Sequence, residues 1–385
     1  MQTLQPTLRL GRDVWDRVNL PVAEFHARLA ALRDALRERR LEAALLYGRG
    51  LDGCGHPTYF SNYTVKLPVA ALLVVPLDAE PVLFFQGASR GLPAAKATTW
   101  IADVRACADV GASCVKLLAE SSWPASRLGF AGVRRLMPHA ERRRLLAAVE
   151  PAAVVEIDDV VDGQRAVKSS RELDQTRRAA RVVGQVLAQV TTIDVADRHE
   201  RSLEAAIVRA ARLEGAEDVR VMMARPTGAG LVFRPPEDVD LPVGARLVIH
   251  LELAQERYWS QAARTFEVQA DRLISVVEPP ADAVVDRLVG ELRPGRTAAG
   301  YAAAAADVLG AAAGALLRPY GFGHGIGITR EEPPCLDASD ATRLREGMCF
   351  ALRSAWVDAV HGPIVRTDTL LVAGGRSMCL TADDR

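Results

Sequence analysis

The stretch GFGHGIGITREEPP, Gly321 to Pro334, sets Gly321, Gly323, Gly325 and Gly327 alternately around one histidine, His324, and runs Glu331 and Glu332 into two prolines. Glycines in such a run permit close backbone approach and positive φ. Two readings follow: a tight pocket wall around His324, or a crowded strand and loop. Adjacent side chains on an extended segment point to opposite sides. One of the two glutamates is therefore expected to face a pocket as acid or base, and the other to brace the loop.

Outward from this stretch, ARLVIHLELAQ and RYWSQAARTFEVQ flank a polar turn and predict a hairpin. MCFALRSAWV and TDTLLVAGG predict closing strands. PADAVVDRLVGELRPG and the alanine-rich TAAGYAAAAADVLGAAAGALL predict helices. Before them, SSRELDQTRRAARVVGQVLAQV predicts a long amphipathic helix opened by a cap. The first portion alternates helical spacing (PVAEFHARLAALRDALRERR) with buried-strand runs such as VAALLVVPL and EPVLFFQ. It reads as an α/β module. The expected division is residues 1–160 and 161–385.

Forty-eight basic residues balance forty-eight acidic ones. That balance argues against nucleic acid or an anionic membrane as the main partner. No window approaches eighteen uninterrupted apolar residues, so no membrane span is expected, and the first twenty residues lack the pattern of a secretory signal. Six scattered cysteines without a CxxC pair read as reduced thiols, which gives the cytoplasm as the expected compartment.

GHGIGITREEPP resembles the GHGIGLxxHEPP signature of the creatinase/prolidase/aminopeptidase P family, the pita-bread fold. Four other blocks follow that family's order: RAVKSSRELDQTRRAAR, LPVGARLVIHLELAQERYWSQAARTFEV, LREGMCFAL and GPIVRTDTLLV. The resemblance covers essentially the whole chain. It implies an α/β N-terminal creatinase-like domain plus an α+β pita-bread C-terminal catalytic domain, a small-molecule substrate and a homodimer. It also implies a metal site of five ligands, two Asp, one His and two Glu. At those positions this chain has His250, Gln261, His324, Arg353 and Thr367. Only the histidine is kept, and every carboxylate is gone.

Two divalent ions held about 3.5 Å apart need bridging carboxylates. Two imidazoles, an amide, a hydroxyl and a guanidinium do not provide them, and Arg353 carries a fixed positive charge. No metal and no cofactor are therefore expected. One mononuclear alternative stays open, His250 and His324 with Glu252 or Glu331. The resemblance also places Val232 or Phe233 at a substrate-contacting histidine of the family. Ala263 and Arg353 stand where creatinase, which works without metal, has its histidine base and a glutamate.

Within that frame Glu331 is the first candidate for base and His324 the second, with His250 and Glu332 completing the catalytic set. For His250 a purely structural role stays open. Arg353 is expected to anchor a substrate carboxylate, or else to form a structural ion pair with Glu331 or Glu332. Glu252, two residues from His250 on one strand face, is expected to orient the imidazole. Gln261 and Arg264 are further substrate-binding candidates. His56 and Tyr63, in a stretch resembling a family loop that reaches the partner's site in dimers, are expected to contact substrate in trans, with a surface turn as the alternative. The leading functional expectation is a metal-independent hydrolase or lyase cleaving a C–N bond in a small polar compound bearing a carboxylate. Amidino, ureido, guanidino and cyclic amide compounds all fit it. The alternatives are a non-catalytic binding protein and an Xaa-Pro dipeptidase-like metallopeptidase.

Overall fold

The computed structural model describes residues 15–65, 69–123, 125–149, 153–194, 199–226, 230–358 and 362–381. The expectation about a secretory signal falls largely on residues outside these. The chain divides into two compact units, meeting in sequence at Arg165 and Ala166. Residue 160 lies inside a helix, Asp158–Ala166.

The N-terminal unit holds one mixed sheet of six strands: β1 (Ala43–Arg49), β2 (Ala70–Pro76), β3 (Val82–Gln86), β4 (Asp103–Cys107), β5 (Leu128–Ala131) and β6 (Val154–Glu156), in the order β4-β3-β2-β1-β5-β6. The β1–β2 and β2–β3 pairs are antiparallel, and β3–β4, β1–β5 and β5–β6 are parallel. Every residue of β2 is buried, so it reads as an unbroken apolar run and not as an alternation. The helix Val22–Glu38 buries Phe25, Leu29, Leu32 and Leu36, which recur on one face at helical spacing.

The C-terminal unit holds an antiparallel sheet of nine strands: β7 (Asp218–Ala224), β8 (Arg246–Gln255), β9 (Tyr258–Val268), β10 (Leu273–Ser275), β11 (Gly323–Gly325), β12 (Glu332–Cys335), β13 (Cys349–Asp358), β14 (Gly362–Leu371) and β15 (Met378–Cys379). The main path runs β12-β11-β13-β14-β9-β8-β7. The helix Ser170–Gln189 opens on a reciprocal capping box between Ser169 and Glu172. It buries Ala179, Val183 and Val186 in a core with Ile249, Leu251 and Leu253 of β8. A strand alternates its faces with period two. With the odd residues of β8 turned to that core, Val248, His250, Glu252 and Ala254 face the other side.

The helix Ala298–Leu317 places Ala298, Tyr301 and Ala305 against Leu352, Leu370 and Phe350. With the turn that follows it is long and apolar enough to cross a membrane by length and composition alone, although Asp307 interrupts its apolar run. Its apolarity comes mostly from alanine, and Gly310 interrupts its helical dihedrals at φ 69°.

Candidate active site

Cross-strand register builds the site. His250 on β8 lies opposite Ala263 on β9, Ala263 opposite Thr367 on β14, and Thr367 opposite Arg353 on β13. A neighbouring row runs from Glu252 to Gln261, whose backbone N–H donates to Thr369 Oγ1 at 2.9 Å, and on through Ala351 to His324 on β11. Directly opposed residues share a face. The two rows therefore place all five family ligand positions on the second face of the sheet. Between the longer side chains at the ends lie the short ones of Ala263, Thr367 and Ala351, all buried. One apolar cluster on this face includes Leu231, Val248, Ala263, Ala355 and Val365, with Phe233 and Tyr320 packed against it. Another includes Ala254, Trp259, Ile326 and Ala351.

The protonation state of His324 follows from its bonding. Its Nδ1 lies 3.0 Å from the Gly325 carbonyl, which only accepts, so Nδ1 carries the proton and Nε2 is a bare lone pair. That Nε2 is buried without a partner. Burial first, and the Arg353 guanidinium second, lower the pKa of His324, with Glu331 and Glu332 acting the other way. His250 also has a buried, unpartnered Nε2. Burial, then Arg353 and His324, push its pKa down to about 3, so it is neutral at ordinary pH. Its ring packs against Phe233 with centroids 5.4 Å apart, whereas Val232 is 69% exposed. Phe233, not Val232, thus stands beside the site.

Arg353 is partly buried, and burial lowers its pKa while Glu331 and Glu252 act to raise it. Its Nη1 donates to the Tyr320 carbonyl at 2.8 Å, and among the described residues no carboxylate lies within ion-pair distance of it. Gln261 is fully buried; its Nε2 donates to the Arg330 carbonyl at 2.8 Å, and its side chain acts on the His250 ring against the downward shift, while Oε1 makes no full hydrogen bond among the described residues.

Several expectations need correction. Glu331 is exposed, so it does not sit in the desolvated pocket expected of it. Glu332 is buried and salt-bridged to Lys168 Nζ at 3.3 Å, and it accepts from the Thr329 N–H at 3.1 Å. These contacts brace the loop, and they occupy the carboxylate that was expected to act in catalysis. Glu252 does not orient His250; its carboxylate meets Arg220 Nη1 at 3.2 Å and Arg330 Nη1 at 2.8 Å. Arg264 neighbours the inward Ala263 and so lies on the opposite face, where it donates to Asp368 Oδ1 at 2.8 Å and to the Thr367 carbonyl at 2.9 Å. A cavity of about 610 Å³ on that side is lined by Arg264, Trp356 and Arg366 and includes none of the five ligand positions.

His56 and Tyr63 lie in the N-terminal unit. His56 is on a short helix, Gly55–Ser61, whose residues are all buried, which fits neither a surface turn nor an exposed reach towards a partner. Tyr63 is buried as well. His56 Nε2 lies 2.9 Å from Asp162 Oδ1, and Asp158 is close enough to make a three-ligand cluster. Arg165 at 3.6 Å from Asp162 and Arg135 at 3.8 Å from Asp158 already supply positive charge there.

Close packing explains the glycines around His324. A Cβ at Gly323, where φ is 154°, would meet the Ala351 carbonyl, and one at Gly327 would lie 2.7 Å from Glu332 Oε2. Of the two readings of the glycine run, the crowded strand and loop matches these contacts. Lys168 and Tyr320 had no sequence signal; Lys168 meets Glu332 across 164 positions of chain.

This antiparallel sheet, with the polar rows on one face and the helix Ser170–Gln189 packed on the other, defines a pita-bread protein. The chain belongs to metallopeptidase family M24, whose model matches residues 174–373, more than half of the chain. The creatinase/prolidase N-terminal domain model matches residues 28–167. The Xaa-Pro dipeptidase of Pyrococcus horikoshii is 22% identical over 258 residues, 66% of this chain and 73% of that protein. The X-Pro aminopeptidase of Thermotoga maritima superposes with a TM-score of 0.74 at 20% identity, covering 93% of this chain and 98% of its own. The dipeptidase PepE of Mycobacterium ulcerans gives 0.71 at 22%, covering 94% and 96%. The family-level reading, a hydrolase fold of the Xaa-Pro peptidase family, is the one these relatives share.

The family implies divalent metal, and the donor atoms present do not fit a metal pair. His250 Nε2, His324 Nε2 and Gln261 Oε1 are neutral and make no full hydrogen bond among the described residues. Glu252 is held by two arginines and Glu331 is exposed. The Arg353 guanidinium lowers the pKa of both imidazoles, and the same field opposes any cation placed between them.

Proposed function

We propose that this chain cleaves a C–N bond by hydrolysis in a small carboxylate-bearing substrate, without the metal pair of its family. One observation carries the reading: His324 presents a buried lone pair beside a guanidinium that has no carboxylate partner among the described residues. His324 Nε2 takes a proton from water as the water oxygen bonds to the substrate carbonyl carbon. The C–N bond then breaks, and the leaving nitrogen receives that proton back. Arg353 holds the substrate carboxylate and so fixes the scissile bond over the imidazole. His250 stays neutral and contributes no charge. The protein acts in the cytoplasm, on a small molecule, as a homodimer.

The test is turnover by chelator-treated protein of a panel of ureido, amide and cyclic amide acids, read as amine or ammonia release. The expected result is turnover unchanged by the chelator and not increased by added manganese, cobalt or zinc. Turnover that vanishes with the chelator and returns with metal sinks the proposal. A second reading, Xaa-Pro dipeptidase activity, is favoured by the name of the Pyrococcus relative. Glycylproline in the same panel tests it.

A further inference from the structure

The proposed reading admits several chemical classes of substrate, and the charge inventory of the pocket separates them. We infer that the ligand is a neutral ureido or primary carboxamide acid, and that amidino and guanidino acids of the same shape are rejected. This rests on the carboxylate-holding role proposed for Arg353 and narrows what the rest of the ligand must be.

Two acceptors await N–H groups. Gln261 has spent its amide N–H on the Arg330 carbonyl, so its unpartnered Oε1 only accepts. His324 has spent its N–H on the Gly325 carbonyl, so its unpartnered Nε2 only accepts. Both atoms are buried, and a buried acceptor left unmade costs about 1–3 kcal/mol, which a ligand N–H recovers. A terminal carboxamide or ureido NH2 offers one proton to Gln261 Oε1 and, in the resting complex, a second to His324 Nε2, whose single lone pair passes to the attacking water in turnover. The tertiary amide of an Xaa-Pro bond offers none, because proline nitrogen carries no hydrogen there.

Amidinium and guanidinium groups also donate, so hydrogen bonding alone does not exclude them; charge does. Arg353 has no ion-pair partner among the described residues. The carboxylates that might have balanced a second cation are committed elsewhere: Glu252 to Arg220 and Arg330, Glu332 to Lys168. Glu331 lies exposed in solvent, where screening weakens it. A cationic head group between His324 and Gln261 therefore meets the Arg353 charge, and Glu252, the buried carboxylate that acts on Arg353, is already shared by Arg220 and Arg330. The ligand carboxylate can neutralise Arg353 or such a head group, but it cannot serve both.

The experiment is calorimetric binding to the full chain of a matched pair, N-carbamoylglycine and guanidinoacetate, with glycylproline and acetate as further probes. The pair shares a carboxylate and differs in the charge of the head group. N-carbamoylglycine is expected to bind about tenfold or more tighter than guanidinoacetate, as one unscreened like-charge contact requires. Gln261→Glu, checked for unchanged melting temperature, is expected to reverse the order by placing an anion in the acceptor row. Arg353→Gln is expected to weaken both and to narrow the gap. Equal or tighter binding of guanidinoacetate or glycylproline by the unaltered protein, or no binding of N-carbamoylglycine at millimolar concentration, overturns the inference. The expected order without turnover would remove the catalytic reading alone; chelator-resistant turnover of a guanidino acid would remove this inference alone.

Discussion

His324→Ala is expected to lower kcat by about 10²–10⁴-fold on any substrate the protein turns over, the range for removing a general base. The geometry behind this is specific. The Nδ1 proton is fixed on the Gly325 carbonyl, so the ring cannot flip its tautomer without losing that bond, and Nε2 is held as the acceptor. KM is expected to rise too, because His324 Nε2 also accepts from the resting ligand, but by less than kcat falls, because Arg353 still holds the carboxylate of the substrate. Since the side chain is buried, alanine also leaves a cavity, so His324→Gln provides a second variant of similar volume. Added imidazole is expected to restore part of the activity of the alanine variant and none of the glutamine variant. A fall in kcat of less than tenfold in both folded variants would remove His324 from the chemistry.

The second large effect is on stability. Lys168→Met is expected to destabilise the C-terminal unit by about 3–5 kcal/mol, the cost of stranding one partner of a buried ion pair. Lys168 and Glu332 have side chains only 1% and 2% exposed, and Lys168 Nζ also donates to the Ala166 carbonyl at 3.2 Å. Glu332 in turn holds the Thr329 N–H, so its charge helps fix the turn that carries Arg330 over Glu252. Urea denaturation measures the loss. Adding Glu332→Gln to Lys168→Met removes the stranded charge and is expected to recover most of it. A loss below about 1 kcal/mol for the single variant would contradict the bracing role.

Much of the fold was legible because its signals are local. Period-two alternation in LVIHLEL, the cap at Ser169 and the glycine alternation around His324 each depend on residues close in sequence. The family blocks then fixed which strand carried which ligand position. What local sequence could not show was the destination of side chains that pair over long distances. Glu331 and Glu332 are equivalent in a sequence; only Lys168, far upstream, decides that Glu332 is the buried one. Arg264 looked like a pocket residue because it sits beside the second ligand strand, yet one residue of offset turned it to the opposite face. Glu252 was placed on the correct face, but Arg220 and Arg330, from a neighbouring strand and a distant loop, take its carboxylate. His56 and Tyr63 belonged to a polar-looking stretch that folds as a buried helix and the residues after it, because aromatic and small residues there outnumber charged ones.

We propose that the fixed guanidinium of Arg353, at a position where the family resemblance implies a carboxylate ligand, keeps a divalent pair out. Equilibrium dialysis of the purified chain against manganese, cobalt and zinc, followed by elemental analysis, measures it directly. The account predicts far less than one bound ion per chain for each metal, with no rise in melting temperature. Near-stoichiometric binding of a metal pair that is lost when His324 is replaced would contradict it.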